Sequence, residues 1–255
     1  MNKSILITVR MGSTRLPNKA LMEINGKSTT EHLISRVKRS QKADNIILCT
    51  THLPEDDILG EIAKNNNISC FRGPVEDKLE RWNGACRMYD IEFFVTADGD
   101  DLFCEPMLID LAFDQYEKYK FDFVESSQVI CGAFTYGISS KALKEVCEIK
   151  DSEDTEMMWT YFKDTGLFKI QELESVDPIF YRDDIRMTLD YKDDFEFFKR
   201  IIEHYESKDD KYYNLYDIIK YLDANPEIIK INQYLQKEWK ANQIQKTKLV
   251  LKEFK

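Results

Sequence analysis

The sequence has no CxxC pair, although six cysteines are scattered along it (Cys49, Cys70, Cys86, Cys104, Cys131 and Cys147). Most sit in apolar surroundings and read as buried, reduced thiols, which argues against zinc ligation or a disulfide framework. No apolar run approaches the roughly 18 residues that span a bilayer, so no membrane partner is expected. The first residues also lack the charged-then-apolar plan of a secretory signal, and the cytoplasm is the expected compartment. There is no excess of positive charge: the net charge is −10, which speaks against a general nucleic-acid surface. Internal repeats, low-complexity blocks, the GxxxxGK[ST] loop and the GxGxxG loop are all missing. His32, His52 and His204 lack cysteine or acidic partners at metal-ligand spacing and read as structural or solvated.

What remains is an ordinary globular composition of 255 residues, 43% hydrophobic and 32% charged. That length accommodates one large α/β domain with a proper core, here placed at residues 1–225. Beyond Asn225-Pro226 the composition turns polar, with repeated Lys and Gln, and residues 226–255 read as a C-terminal helical extension packing outside the main domain. The charge is unevenly spread. Residues 1–42 hold nine lysines and arginines against two glutamates, so a basic entrance sits on an acidic body, an arrangement suited to a small anionic ligand.

The basic segment has a clear focus. Ile5-Leu6-Ile7 reads as a buried first strand, and it runs into Thr8-Val9-Arg10-Met11-Gly12-Ser13-Thr14-Arg15-Leu16-Pro17-Asn18-Lys19. The loop after a first parallel strand is where open α/β sheets bind ligands. Gly12 permits close backbone approach, Arg10 and Arg15 offer planar forks, and Lys19 offers a point charge for phosphate oxygens.

Further along, Asn25-Gly26 signals a tight turn, and a helix is predicted from Thr29 to about Ser40. Strands at Ile46–Thr50, Cys70–Phe71 and Ile91–Thr96 alternate with helices opening at Pro54 and spanning Glu76–Tyr89. This alternation predicts a largely parallel, doubly wound sheet. Residues 121–185 are less regular, with strands at Phe121–Val124 and Leu167–Leu173 and helices at Lys141–Cys147 and Thr155–Phe162. Ile185–Leu189 is predicted as a strand, followed by an aromatic core helix over Asp193–Tyr205 and another over Tyr212–Leu222. Trp82, Trp159 and Trp239 stand at helical positions and read as packing residues.

Two acidic constellations follow predicted strands. Asp98-Gly99-Asp100-Asp101 can hold Mg²⁺ beside a triphosphate, since Mg²⁺ takes one or two carboxylates plus phosphate oxygens. In Leu189-Asp190-Tyr191-Lys192-Asp193-Asp194, Asp190 is the better metal candidate, while Asp193 and Asp194 read as helix caps. A cationic phosphate loop with two separated acids is equipment for nucleotidyl transfer.

The segment Arg10-Met11-Gly12-Ser13-Thr14-Arg15-Leu16-Pro17-x-Lys19 resembles the opening motif of the spore coat polysaccharide biosynthesis protein F group. That group is similar to CMP-Kdo synthetase and the acylneuraminate cytidylyltransferases. The resemblance runs through Phe71-Arg72-Gly73, Asp77-Lys78-Leu79-Glu80-Arg81, Gly99-Asp100 with Pro106, and Arg186-x-Thr188-Leu189-Asp190 with Asp194, covering about residues 4–205. It implies a nucleotide-diphospho-sugar transferase fold, a Rossmann-like three-layer α/β/α with a mostly parallel mixed sheet. It also implies CTP as donor, Mg²⁺ as cofactor, a small anionic acceptor and a homodimer, in surface polysaccharide or glycoconjugate biosynthesis.

Carried over residue by residue, Arg10, Met11, Gly12, Ser13, Arg15 and Lys19 grip the triphosphate, with Thr50, Arg72, Asp77 and Asp98 also on the nucleotide. Arg15, Lys19 and Asp100 take the catalytic roles, Asp100 and Asp190 the metal, and Tyr136, Glu156 and Arg186 the second substrate. Where the family shows Thr-Gly-Asp, this chain has Asp98-Gly99-Asp100, so Asp98 adds either a further ligand or a shift in substrate preference. The segment 131–137 is expected to line the acceptor pocket, and the 121–185 region to carry the acceptor site and dimer contact. Two alternatives stay open: a glycosyltransferase using a preformed nucleotide sugar, and a nucleotide-binding regulatory module without catalysis.

Overall fold

Ile5, Leu6 and Ile7 are fully buried in the middle of β1 (Lys3–Thr8). A strand apolar on both faces carries helices on both sides. The computed structural model describes residues 2–207 and 212–253; residue 1, residues 208–211 and residues 254–255, which belong to the expected 1–225 and 226–255 segments, lie outside the described residues. After β1 come a hairpin of β2 (Glu23–Ile24) and β3 (Lys27–Ser28), α1 (Thr29–Val37), β4 (Asn45–Thr51), α2 (Asp57–Asn65), β5 (Ser69–Gly73), α3 (Lys78–Tyr89) and β6 (Phe93–Asp98). The hairpin turns at Asn25-Gly26, both at positive φ, as predicted. Ser28 and Glu31 close α1 with a reciprocal capping box.

The second half holds α4 (Pro106–Tyr119), β7 (Phe123–Glu125), β8 (Tyr136–Ser139), α5 (Ser140–Ile149), α6 (Trp159–Lys163) and β9 (Ile170–Glu172). It ends in α7 (Lys192–Glu206), α8 (Leu215–Ala224), α9 (Pro226–Ile229) and α10 (Leu235–Lys246). Helix α4 is missing from the sequence reading, although proline at its start and a Glu105 cap mark its beginning.

The main sheet has the order β5-β4-β1-β6-β8-β7-β9. Strands β1, β4, β5 and β6 are mutually parallel, and β8 alone runs against its neighbours β6 and β7. One apolar layer packs Ile5 and Ile7 against α1, α4, α7 and α8, while the other packs Leu6, Ile47 and Cys49 against α3, α5 and α6. This is the expected α/β/α sandwich with a mixed, mostly parallel sheet. From β1 the chain moves outward to β4 and β5, then returns to lay β6 on the other side of β1. The reversal opens a crevice where Thr8 and Asp98 lie side by side at the strand ends.

Residues Ile185–Leu189 differ from expectation. They make a single bridge, Arg186 with Cys131, rather than a strand. The backbone N–H of Met187 donates to Cys131 O (2.9 Å) and that of Leu189 to Asp100 O (2.8 Å), so the segment is buried by pairing with two loops. Gly132 makes this possible: its φ is +89°, and a Cβ there would lie 1.9 Å from Met187 O. We expect Gly132→Ala to lower stability by at least ~2 kcal/mol, since both conformation and contact forbid the methyl. Thermal or urea unfolding checks this; an unchanged midpoint would refute the packing argument.

Candidate active site

A cleft of about 1000 Å³ opens at the crevice between β1 and β6. One side is the loop after β1. Arg10, Gly12, Ser13, Arg15 and Lys19 all line the cleft. Met11 instead turns its side chain to the core, while its N–H donates to Asp56 Oδ1 (2.7 Å) and anchors the loop. A Cβ on Gly12 would meet nothing within 4 Å, so no protein neighbour requires glycine there. Gly99 differs: a Cβ would come within 2.8 Å of Val9, which lets the two loops lie against each other.

The other side is acidic. Asp98, Asp100 and Asp101 offer carboxylate oxygens within 4.8 Å of one another. Lys78 Nζ reaches Asp98 Oδ1 (2.9 Å) while lying 4.9 Å from the centre of the Trp82 ring. Burial, and then the adjacent Asp100 and Asp98, push the Asp101 carboxyl well above the usual carboxylate range. Burial acts against ionisation of Asp100 too, but Lys19 outweighs it and holds that carboxyl below its ordinary value.

Lys19 joins the two sides. Its Nζ donates to Asp100 Oδ2 (3.0 Å), Asp190 Oδ1 (3.1 Å) and Leu189 O (2.9 Å). Desolvation disfavours the ammonium, yet the two carboxylates prevail and its pKa is raised. Arg15 Nη2 also donates to Asp190 Oδ1 (2.6 Å). Asp190 is only 1% exposed and meets a third cation, Arg186, at 3.5 Å. The two acids expected to share a metal are therefore bridged by an ammonium, and among the described residues the carboxylates grouped within reach of one ion are Asp98, Asp100 and Asp101.

A fully buried carboxylate fixes this arrangement from behind. Asp194 accepts from Arg186 Nε (2.9 Å) and Nη2 (3.2 Å), from Asn232 Nδ2 (2.9 Å), and from the N–H groups of Asp190 (2.9 Å) and Tyr191 (3.0 Å). Asp194 caps α7 as predicted, whereas Asp193 instead accepts the Tyr234 hydroxyl (2.5 Å).

Other expected site residues are distributed unevenly. Asp98, Asp100, Tyr136, Glu156 and Asp190 line the cleft; Thr50, Arg72, Asp77 and Arg186 do not. Thr50 is fully buried in β4. Arg72 is spent on Thr51 O, Leu53 O and Asp57, fastening the end of β5 to the start of α2. Asp77 caps α3 and pairs with Lys150 (2.5 Å) and Thr155 (3.0 Å). Arg186 is 1% exposed and braces Asp190 and Asp194. Trp159 packs against the second apolar layer, as expected, and also borders the cleft. Trp239, expected to pack, borders the cleft too, and so do Gln236, Lys240, Gln243 and Lys246 of α10, which therefore does not lie wholly outside the domain. Lys78 was within reach of the sequence reading because it stands inside the Asp77–Arg81 motif. No local signal in residues 236–246 announces their place.

A cationic loop and a carboxylate cluster facing each other at the switch point of an α/β sheet define a nucleotidyltransferase. A cytidylyltransferase family model matches residues 4–244, and the chain belongs to that family. An uncharacterized protein of Methanocaldococcus jannaschii is 31% identical over 238 residues, covering 91% of this chain and 95% of that protein. The spore coat polysaccharide biosynthesis protein SpsF of Bacillus subtilis is 28% identical over 233 residues, covering 87% and 94%. Among solved structures, a cytidylyltransferase from Leptospira borgpetersenii superposes with a TM-score of 0.81 at 27% identity, covering 90% of this chain and 97% of that one. Among the described residues, no helix is long and apolar enough to cross a membrane.

Proposed function

We propose that the protein transfers a cytidylyl group from CTP to a small anionic acceptor, an acidic sugar or a phosphate or phosphonate, and releases pyrophosphate. The acceptor oxygen bonds to the α-phosphorus as the bond from that phosphorus to pyrophosphate breaks. The observation that carries this reading is that Arg15 and Lys19 converge with Asp100 and Asp190 in one cleft. Arg10, Arg15, Lys19 and the Gly12–Ser13 backbone bind the triphosphate; Tyr136 and Glu156 face the acceptor.

Mg²⁺ is the proposed cofactor, and the donor set suits it: three clustered carboxylates supply hard oxygen ligands, and the crowding that raises Asp101 is relieved by a cation. Asp98, Asp100 and Asp101 would hold it, and when bound it would offset negative charge on the phosphates. The chain's own groups orient the triphosphate and keep positive charge where the leaving group gathers negative charge. A homodimer acting in the cytoplasm, in surface polysaccharide or glycoconjugate synthesis, completes the proposal.

The test is pyrophosphate release with CTP, Mg²⁺ and a panel of acidic sugars, sugar phosphates and phosphonates. Asp100→Asn is expected to lower the rate by at least ~10³-fold, because it removes charge from both the Lys19 contact and the carboxylate cluster. Absence of CTP binding together with absence of release would refute the reading. Transfer from a CMP- or UDP-sugar without pyrophosphate would favour a glycosyltransferase instead.

A further inference from the structure

Helix α10 is fastened in a way that core packing does not explain. A surface helix ordinarily docks through an apolar stripe, yet Leu235 is the one buried residue of α10. The face it turns to the cleft carries Gln236, Trp239, Lys240 and Gln243, spaced i, i+3, i+4 and i+7 and hence on one side of the helix. Its ends are tied to elements on opposite faces of the sheet. At the near end, fully buried Asn232 donates to Asp194 Oδ1 (2.9 Å) and Arg186 O (3.1 Å), beside α7. At the far end, the N–H of Asp151 donates to Val250 O and that of Lys252 to Ile149 O (2.9 Å each), at the end of α5. Lys246 lies 3.9 Å from Glu156 between two exposed side chains. The helix thus spans the cleft as a strap.

Among the described residues, no hydrogen bond or ion pair joins α10 to Arg10, Arg15 or Lys19. Its polar contacts run to Arg186, which donates to Gln236 Oε1 (3.1 Å) and lies 5.5 Å from the Trp239 ring centre, and to Glu156. We infer that the strap is the acceptor-reading wall of the cleft. Trp239 presents the face on which the acceptor's ring or carbon skeleton stacks, the amides of Gln236 and Gln243 meet its hydroxyls, and Lys240 meets its acidic group. Arg186 acts through Trp239 and Gln236 as a positioning residue behind this face. The inference rests on the CTP-dependent reading above, and it assigns specificity to a segment that lies beyond the motifs of the amino-terminal half.

The experiment measures calorimetric binding to the full-length chain loaded with CTP and Mg²⁺. The probes are glucuronate, gluconate and glucose 6-phosphate, with glucose as the neutral control. At least one acidic probe is expected to bind, and glucose at least about tenfold more weakly. Trp239→Ala and Lys240→Ala are each expected to weaken that probe about tenfold or more, with CTP affinity held within about twofold. Trp239→Phe, which keeps an aromatic face, is expected to restore most of the probe affinity and so separates stacking from loss of fold. The inference is overturned if CTP binds normally and no acidic probe binds, if the alanine variants bind the probe like the parent, or if they lose CTP as well. If the parent chain itself fails to bind CTP, the nucleotide reading falls first.

Discussion

Lys19→Met is expected to lower kcat/KM for pyrophosphate release by at least ~10³-fold, as much as Asp100→Asn, and to weaken CTP binding as well. Loss of one preorganised donor to developing charge typically costs about 10²–10³-fold, and here the same atom holds two carboxylates as well. Methionine keeps the length of the side chain and its packing while removing three donated bonds. Lys19→Arg is expected to recover little, because a planar guanidinium does not fit a pocket built for a point charge. Since Asp100 and Asp190 raise the Lys19 pKa against the effect of burial, the ammonium stays charged throughout neutral and mildly alkaline solution. A fall in rate with rising pH in that range therefore has another origin. Steady-state kinetics with CTP titrations decide the matter, and a variant within tenfold of the parent would reduce Lys19 to a structural role.

Asp194→Ala carries the largest expected loss of stability, about 3–5 kcal/mol. It would leave the buried Arg186 guanidinium without its main partner and strip an acceptor from Asn232 and two backbone N–H groups. Asp194→Asn keeps an acceptor oxygen but loses the charge, and an intermediate effect is expected. Urea unfolding monitored at the tryptophans measures both, and a change below about 1 kcal/mol for the alanine variant would contradict the network. The loss also reaches the cleft, because Asp190 would then be the remaining carboxylate partner of Arg186, in competition with Arg15 and Lys19.

The first hundred residues were readable because strand, loop and helix follow each other with short connections and strong punctuation. Asn25-Gly26, the buried Ile5–Ile7 run and the loop cations all fall where simple periodicity places them. The convergence of Lys19 with Asp190, separated by 171 positions, was implied by the family resemblance, which set one on the triphosphate and the other on the metal beside it. What escaped depended on partners distant in sequence. Ile185–Leu189 has the composition of a strand, but the loops at Cys131 and Asp100 take its hydrogen bonds. Asp77 and Arg72 have the residue types of a binding loop, yet the neighbouring Lys150, Asp57 and backbone carbonyls satisfy them first. The polar face of α10 carries no apolar period, so its position could be learned only from the ties at Asn232 and Val250.

Each cation of the amino-terminal loop already has a carboxylate at hand: Arg10 has Glu76, Arg15 and Lys19 share Asp190, and Lys19 also holds Asp100. An incoming polyphosphate therefore exchanges places with anions belonging to the protein instead of expelling a cloud of dissolved ones. Little small-ion release accompanies such an exchange, and the logarithm of affinity should vary with ionic strength more gently than the number of positive side chains alone would suggest. In the proposed reaction, the same resident anions would be at hand to reclaim their partners once pyrophosphate departs.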